Sequence, residues 1–328
     1  TRGSRTMSAS KGTGPRLTRP KYLLADGPKE LADLSAKGLA RCADLVERLV
    51  KTKGARTLAH TLVPYEAIQR ELYELLAQPK FLSEVHPDAR MRNAGDRAYQ
   101  AAERFQTELN LNRAVYDAFA TLDVSGEDDD TRYAVHKILR DFRLAGVDRD
   151  EATRARVKAL RDEITAIGQE FDKNIREDER SIIVDGPEAL EGMPADYVAA
   201  HPPGANGKIT ITTAYPDAIP LIRYARHADV RKRLQREFLD RAYPKNIEVL
   251  QNLLQKRDEL AKVLGHAHYA DYITKDKMVG SAQNAADFLR KVTKASEGRA
   301  QKDYDLLLAR KRKDDPRAKG LERWDTSY

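Results

Sequence analysis

Cysteine is almost missing from this chain: Cys42 is the single one among 328 residues. That excludes an internal disulfide framework and any zinc site built on several thiolates. Cys42 lies in "LARCADLVERLV", where it fits the apolar face of a helix and no local motif makes it a nucleophile. No apolar run approaches the ~20 residues that a membrane-crossing helix needs, so no membrane partner is expected. Histidine is scarce too, seven in all. None of the seven begins a His-Glu-x-x-His pattern, which would set two metal ligands and a general base on one helical turn. A Walker loop, a G-x-S-x-G elbow and a G-x-G-x-x-G fingerprint are equally absent. The opening twenty residues, "TRGSRTMSASKGTGPRLTRP", have no apolar stretch of the kind a signal peptide carries. They are polar, basic and rich in Ser, Gly and Pro, and read as a disordered tail or tag remnant. A cytoplasmic location is expected.

What the chain has in plenty is charge of both signs. Fifty-eight Lys and Arg stand against 51 Asp and Glu, a net charge of +7. The excess is spread out, as expected of exposed helix faces carrying i, i+4 pairs. The densest cluster is "ARKRKDDPRAKG", residues 309–320. Acidic residues interrupt it and no aromatics are interleaved to stack on bases. A solvated helix end and loop is the reading, and nucleic acid is not an expected partner.

Apolar residues recur at helical spacing along most of the chain. Val157, Leu160, Ile164, Ile167, Phe171 and Ile175 form one continuous stripe. Further helices are predicted over roughly 28–52, 64–77, 87–121, 131–143, 228–241, 245–264 and 281–310. Pro64, Pro87 and Pro244 stand near starts, where a missing amide proton costs little. Gly265 stops one helix and Ser281 can cap the next. The pattern breaks between about 180 and 223. There "ERSIIVDGPEALEGMP" and "NGKITITTAYP" are short, β-branched and bounded by Gly and Pro. "KITITT" alternates Ile209 and Ile211 with threonines at a period of two. Two or three strands are expected, packed on helices because two alone are marginal in water. The fold class is mainly α with a small β element.

"LGHAHYADYITKDKM", residues 264–278, sets His266 and His268 two positions apart. On a helix, positions i and i+2 point about 200° apart and could not share a metal. In an extended turn they could, but a third ligand would be needed and none is signposted nearby. No catalytic or metal residue follows from spacing alone.

"RDELAKVLGHAHYADYITKDKMVGSAQNAADFL", residues 257–289, reads as an Arg-containing helix, a Leu-Gly turn, Tyr-Ala-x-Tyr, a basic residue before Met, then a helix carrying Phe-Leu. It resembles a signature stretch of the thimet oligopeptidase / oligopeptidase A family of zinc metallopeptidases, and several other stretches agree. "HTLVPYEAIQ" and "SEVHPDARMRNAGDRAYQ" resemble its first helical region. "ILRDFRLAGVDRDEATRARVKALRDEITAIGQEFDKNI" resembles the long helices that follow. "PLIRYARHADVRKRLQREFLDRAYPKNIEVLQNLLQKRDELA" resembles the segment leading to the signature. The final "ERWDTSY" resembles the family's Trp-Asp-x-x-Tyr-Tyr stretch. The likeness runs from about Leu31 to Tyr328, in family order.

The resemblance implies the helical N-terminal half of a channel-shaped peptidase, divided here as a tail (1–20), a helical N-terminal region (21–178), and a β element plus helices leading toward the catalytic region (179–328). It implies hydrolysis of short peptides by a zinc ion that polarises the scissile carbonyl and activates a water. In the family the zinc motif and the substrate-binding residues lie downstream of the Trp-Asp stretch. None has a counterpart here, so no catalytic, metal or substrate-binding residue is carried over, Arg323, Trp324 and Asp325 included. Zinc is expected in the full-length family member and not in this chain, and the downstream catalytic half is the expected partner. The histidines of "HAHYADY" are then architectural, and Trp324 and Tyr328 are expected to be stranded at an open end. A non-catalytic helical adaptor is the alternative reading, and a nucleic-acid-binding module a further one.

Overall fold

The computed structural model describes residues 21–328, and the tail expected over 1–20 lies outside them. The chain divides into two compact units that meet inside one helix, the first ending at Val135 and the second beginning at His136.

The first unit is all helix. Its elements are α1 (Pro28–Lys51), α2 (Leu62–Val85), α3 (Ala89–Asn110) and α4 (Arg113–Ala120). α1, α2 and α3 pack against one another, and α4 lies on α1. The core holds Leu31, Leu49, Ile68, Leu72, Leu75 and Phe119, all fully buried. Cys42 is buried with them, as its place in an apolar stripe predicts, and burial pushes its thiol up to about 11. At neutral pH it is a thiol in a core.

Two helices differ from the predicted spans. The expected helix over 64–77 runs on to Val85, straight through Pro79. Pro79 forfeits one backbone hydrogen bond. The helix continues because Leu75, Gln78, Pro79, Leu82 and Ser83 are all buried. Gly95 of α3 makes that close approach feasible: a Cβ there would sit 2.6 Å from the Pro79 carbonyl oxygen. The single helix expected over 87–121 is two. Asn112 interrupts it and caps α4, its side chain accepting from the Val115 amide at 3.1 Å.

Ahead of α1 a short strap is held down by Tyr22, 1% exposed. Its hydroxyl donates to Glu71 at 2.8 Å, while Gln78 Oε1 accepts from the Tyr22 and Leu23 amides. Burial and the Glu71 carboxylate push the Tyr22 phenol well above its ordinary range.

In the second unit, α5 (Asp129–Ala145), which begins in the first, leads into α6 (Glu151–Glu177). α6 carries the predicted stripe. It packs against α10 (Lys245–Val263). Arg156, near the start of α6, reaches Glu259 near the end of α10, and the Phe171 carbonyl accepts from Asn246 at the start of α10. The two helices are therefore antiparallel.

Between them comes the β element. β1 (Ser181–Val184) and β2 (Ile209–Thr212) pair antiparallel, Ser181 opposite Thr212 and Val184 opposite Ile209. Ile182, Val184, Ile209 and Ile211 face inward, so the period of two in "KITITT" is a true one-sided strand. The other half of that core comes from α7 (Ala195–Ala200), α8 (Tyr215–Tyr224) and α9 (Ala228–Leu239), through Tyr197, Leu221 and Leu234 among others. The described residues form two strands, within the two or three expected, and add no third. Residues 215–224 are helical, with Pro216 and Asp217 in the first turn, where each is favourable. α11 (Tyr269–Thr274) and α12 (Ala282–Asp314) follow, and the chain closes on a 3₁₀ turn, Arg323–Asp325.

Candidate functional site

Histidines first. His268 caps α11: its side chain accepts from the Asp271 amide at 3.2 Å, and its Nε2 lies 3.3 Å from Asp271 Oδ2. His266 packs on Tyr272, ring centroids 5.3 Å apart, and the Tyr272 hydroxyl accepts from Arg161 of α6. The pair is spent on a turn between two helices. Among the described residues no group of three or more His, Cys, Asp and Glu could hold a metal ion. The zinc that the resemblance implies finds no ligand set in them.

A second histidine cluster was not visible in the sequence. His201 Nε2 lies 3.3 Å from Asp217 Oδ1, and its Nδ1 is 2.8 Å from the Tyr197 carbonyl. The Tyr197 ring stacks on the imidazole, and the Tyr197 hydroxyl donates to the Asp217 carbonyl. The remaining Asp217 oxygen accepts from the Thr212 hydroxyl at 2.6 Å. This has the outline of a His–Asp dyad. Both imidazole nitrogens already face protein oxygens, however, and no nucleophile adjoins them. The cluster ties α7 and α8 to β2.

The chemistry concentrates at the end of α12. α9 buries Val230, Arg231 and Leu234 on one face. Arg231 is a charge on an apolar face, and its partner comes from far along the chain. After α12 the backbone turns back, with Arg312 donating to the Ala318 carbonyl and the Ala318 amide to Asp315. This brings Glu322–Asp325 against α9. Arg231 Nη2 donates to Asp325 Oδ1 at 3.1 Å, and Lys311 Nζ and the Glu322 amide donate to Oδ2 at 2.7 and 2.9 Å. The other guanidinium nitrogens serve three carbonyls, those of Trp324, Ala225 and Arg226. The Arg231 and Asp325 side chains are only 4% and 5% exposed. Burial alone would push the Asp325 carboxyl up. Lys311, the Glu322 amide and Arg231 outweigh it and hold the group below the ordinary carboxylate range.

The strip is thus anchored rather than stranded. The Tyr328 ring covers the Arg231 guanidinium at 3.9 Å, and Lys232 Nζ lies 5.0 Å from the Trp324 ring. The basic run read as a solvated helix end is so for Arg310, Arg312 and Lys313, which are exposed, while Lys311 turns inward. A cleft of about 680 Å³ opens beside the cluster, lined by both charged and apolar side chains. Lone signals were available in the sequence: an Arg next to Val230 within an apolar pattern, and an Asp beside the only Trp. Nothing in spacing joins positions 231 and 325.

Residues 221–328, which contain this cluster, match the family model for peptidase family M3. The chain is 27% identical over 284 residues to mitochondrial intermediate peptidase of Chaetomium globosum, covering 82% of this chain and 36% of the relative. It is 26% identical to saccharolysin of Saccharomyces cerevisiae, covering 79% and 38%. Against oligopeptidase A of Escherichia coli the identity is 24%, covering 92% and 47%. The chain therefore spans less than half the length of each of these relatives. The expected resemblance is found: residues 221–328 are similar to peptidase family M3, and most of the chain is similar to the peptidases named above, on a mainly helical architecture with one two-stranded sheet.

Proposed function

We propose that this chain is the N-terminal, channel-wall part of a zinc oligopeptidase that hydrolyses short peptides, and that alone it is inactive. One observation carries the reading: the likeness covers most of this chain but less than half of each relative named above. On that reading the ligands for zinc and the groups that touch the scissile bond come from a downstream catalytic half. The region from 179 onward then leads toward that half, and a cytoplasmic location, consistent with a single buried thiol, goes with it.

The chain's own contribution is positioning. Arg231, Lys311 and Asp325 lock the Trp324 strip to α9 and α12, at the point where the family's sequence proceeds toward its zinc motif. Exposed Phe288, Leu289 and Val292 on α12 are apolar surface available to the catalytic half.

The test is to express this chain and, separately, the coding sequence extended downstream. Each is assayed on a quenched fluorogenic peptide with and without a chelator, and zinc is measured by elemental analysis. The proposal expects no hydrolysis and no stoichiometric zinc for the chain alone. It expects chelator-sensitive hydrolysis from the extended protein, and from this chain mixed with the downstream part expressed by itself. Hydrolysis by the isolated chain would overturn the division of labour. An extended protein without peptidase activity would favour the adaptor reading.

A further inference from the structure

The cleft beside the Asp325 cluster holds more positive charge than the cluster uses. Five cationic side chains line it, Arg226, Arg231, Arg310, Lys311 and Lys313, against the three carboxylates of Asp314, Asp315 and Asp325. Arg231 and Lys311 are committed to Asp325. Arg310 pairs with Asp314 along the helix, and Asp315 accepts from the Arg317 amide. Arg226 pairs with Glu191, whose side chain is half exposed and does not line the cleft. Lys313 has no carboxylate partner among the described residues. Counted with Glu191, the wall carries a surplus of one positive charge, beside apolar side chains that include Leu307 and Leu321. Its volume, about 680 Å³, falls among ordinary ligand pockets, roughly 300–1,000 Å³.

Two details decide what such a wall accepts. Asp314 and Asp315 stand at the same rim, which disfavours a continuous phosphate backbone. The only aromatic ring in the lining is Tyr328, and Arg231 already covers one face of it at 3.9 Å, so no series of rings is present to stack successive bases. An isolated anionic group on a partly apolar chain fits both. The geometry points to this cleft as a binding site for a carboxylate group of a short peptide. The proposal rests on the peptidase reading for its choice of peptide. The carboxylate has two sources, a C-terminus or an acidic side chain.

Trp324 is the only tryptophan of the chain and is the sequence neighbour of Asp325, which lines the cleft, so its fluorescence is one probe of binding. The experiment titrates the 328-residue chain with three tryptophan-free alanine pentapeptides: one with a free C-terminus, one amidated and neutral, and one amidated with a central Asp. Isothermal titration reads the same affinities without relying on the indole. Saturable binding by a carboxylate-bearing peptide, and not by the neutral one, is the expected result. It should weaken several-fold between low and high salt, because exposed charges are screened. If the free-acid peptide alone binds, the group is a C-terminus; if the Asp peptide binds, it is a side chain.

The double variant Arg226→Glu and Lys313→Glu should weaken binding about tenfold or more, a loss of about 1.4 kcal/mol. Both positions are exposed, and circular dichroism verifies the fold. Lys294→Glu, exposed on α12 and outside the cleft lining, should leave binding unchanged. Equal binding of the neutral peptide, no effect of the double variant, or tighter binding of an oligonucleotide would overturn the proposal. Hydrolysis of neutral amidated peptides by the extended protein does not involve the cleft's surplus charge. The peptidase reading thus stands or falls separately.

Discussion

α6 and α12 are the two longest helices described, 27 and 33 residues, and both are rich in charge. They meet opposite fates. Every member of the α6 stripe from Val157 to Ile175 is buried or half-buried, largely against α10. α12 buries only Leu308, and leaves Phe288 and Leu289 59% and 63% exposed. The difference lies in pattern as much as in neighbours. The α6 stripe is unbroken over five turns. On α12 the apolar residues fall into two groups, 288–292 and 304–308, with the polar run 293–303 between. A helix that cannot bury a continuous face is held at points, and one of them is Lys311 on Asp325.

The largest effects should come from that point. Asp325→Ala leaves Arg231 buried and unpaired, and removing one partner of a buried pair costs about 3–5 kcal/mol. Chemical denaturation should show this, with loss of Trp324 fluorescence change on unfolding of the strip. If Asp325→Ala is as stable as the parent, the anchored end of α12 is held by something other than charge.

Leu160→Ala, at a fully buried position of α6, should cost about 2–5 kcal/mol. Phe288→Ala on α12 should stay within about 0.5 kcal/mol, as exposed positions do. Equal costs for the two would erase the comparison. On the proposed function, supplying a downstream catalytic half should sharpen it, by making Phe288→Ala costly in the complex.

Acid should act on the two helices unequally. The Asp325 carboxyl titrates below its ordinary value in the folded chain. Its contribution is therefore complete above the unfolded value of about 3.9 and is lost as pH falls through the folded one. Thermal melts from pH 5 downward should show this slope in the parent and a shallower one in Asp325→Asn. An unchanged slope would move the acid sensitivity to other carboxylates.

The smallest effect belongs to the start of α12. Ser281 accepts from the Asn284 amide at 3.1 Å, and Ser281→Ala should cost about 1 kcal/mol. Hydrogen exchange should locate that loss in the first turns of α12 and leave α6 untouched.

Local signals wrote most of this fold. The stripe of α6, the Gly265 stop, the Ser281 cap and the alternation of Ile209 and Ile211 are each read within a few residues. The errors came where a distant contact overrode a local rule. Pro79 sits inside α2 because Gly95 lets α3 come close. The candidate site was the least legible part. Arg231 and Asp325 are 94 positions apart, and no periodicity links them. The resemblance located the Trp-Asp strip but assigned it no task.

The length of α12 has a mechanical consequence. At 1.5 Å per residue, its 33 residues span about 50 Å. One end rests on α11, the other is pinned through Lys311, and the middle touches little. Such an element is a strut. The separation between the His268 turn and the Trp324 strip is set by the hydrogen bonds of one backbone, braced by pairs such as Arg299–Asp303 and Arg310–Asp314. A push at either end arrives at the other without passing through a core.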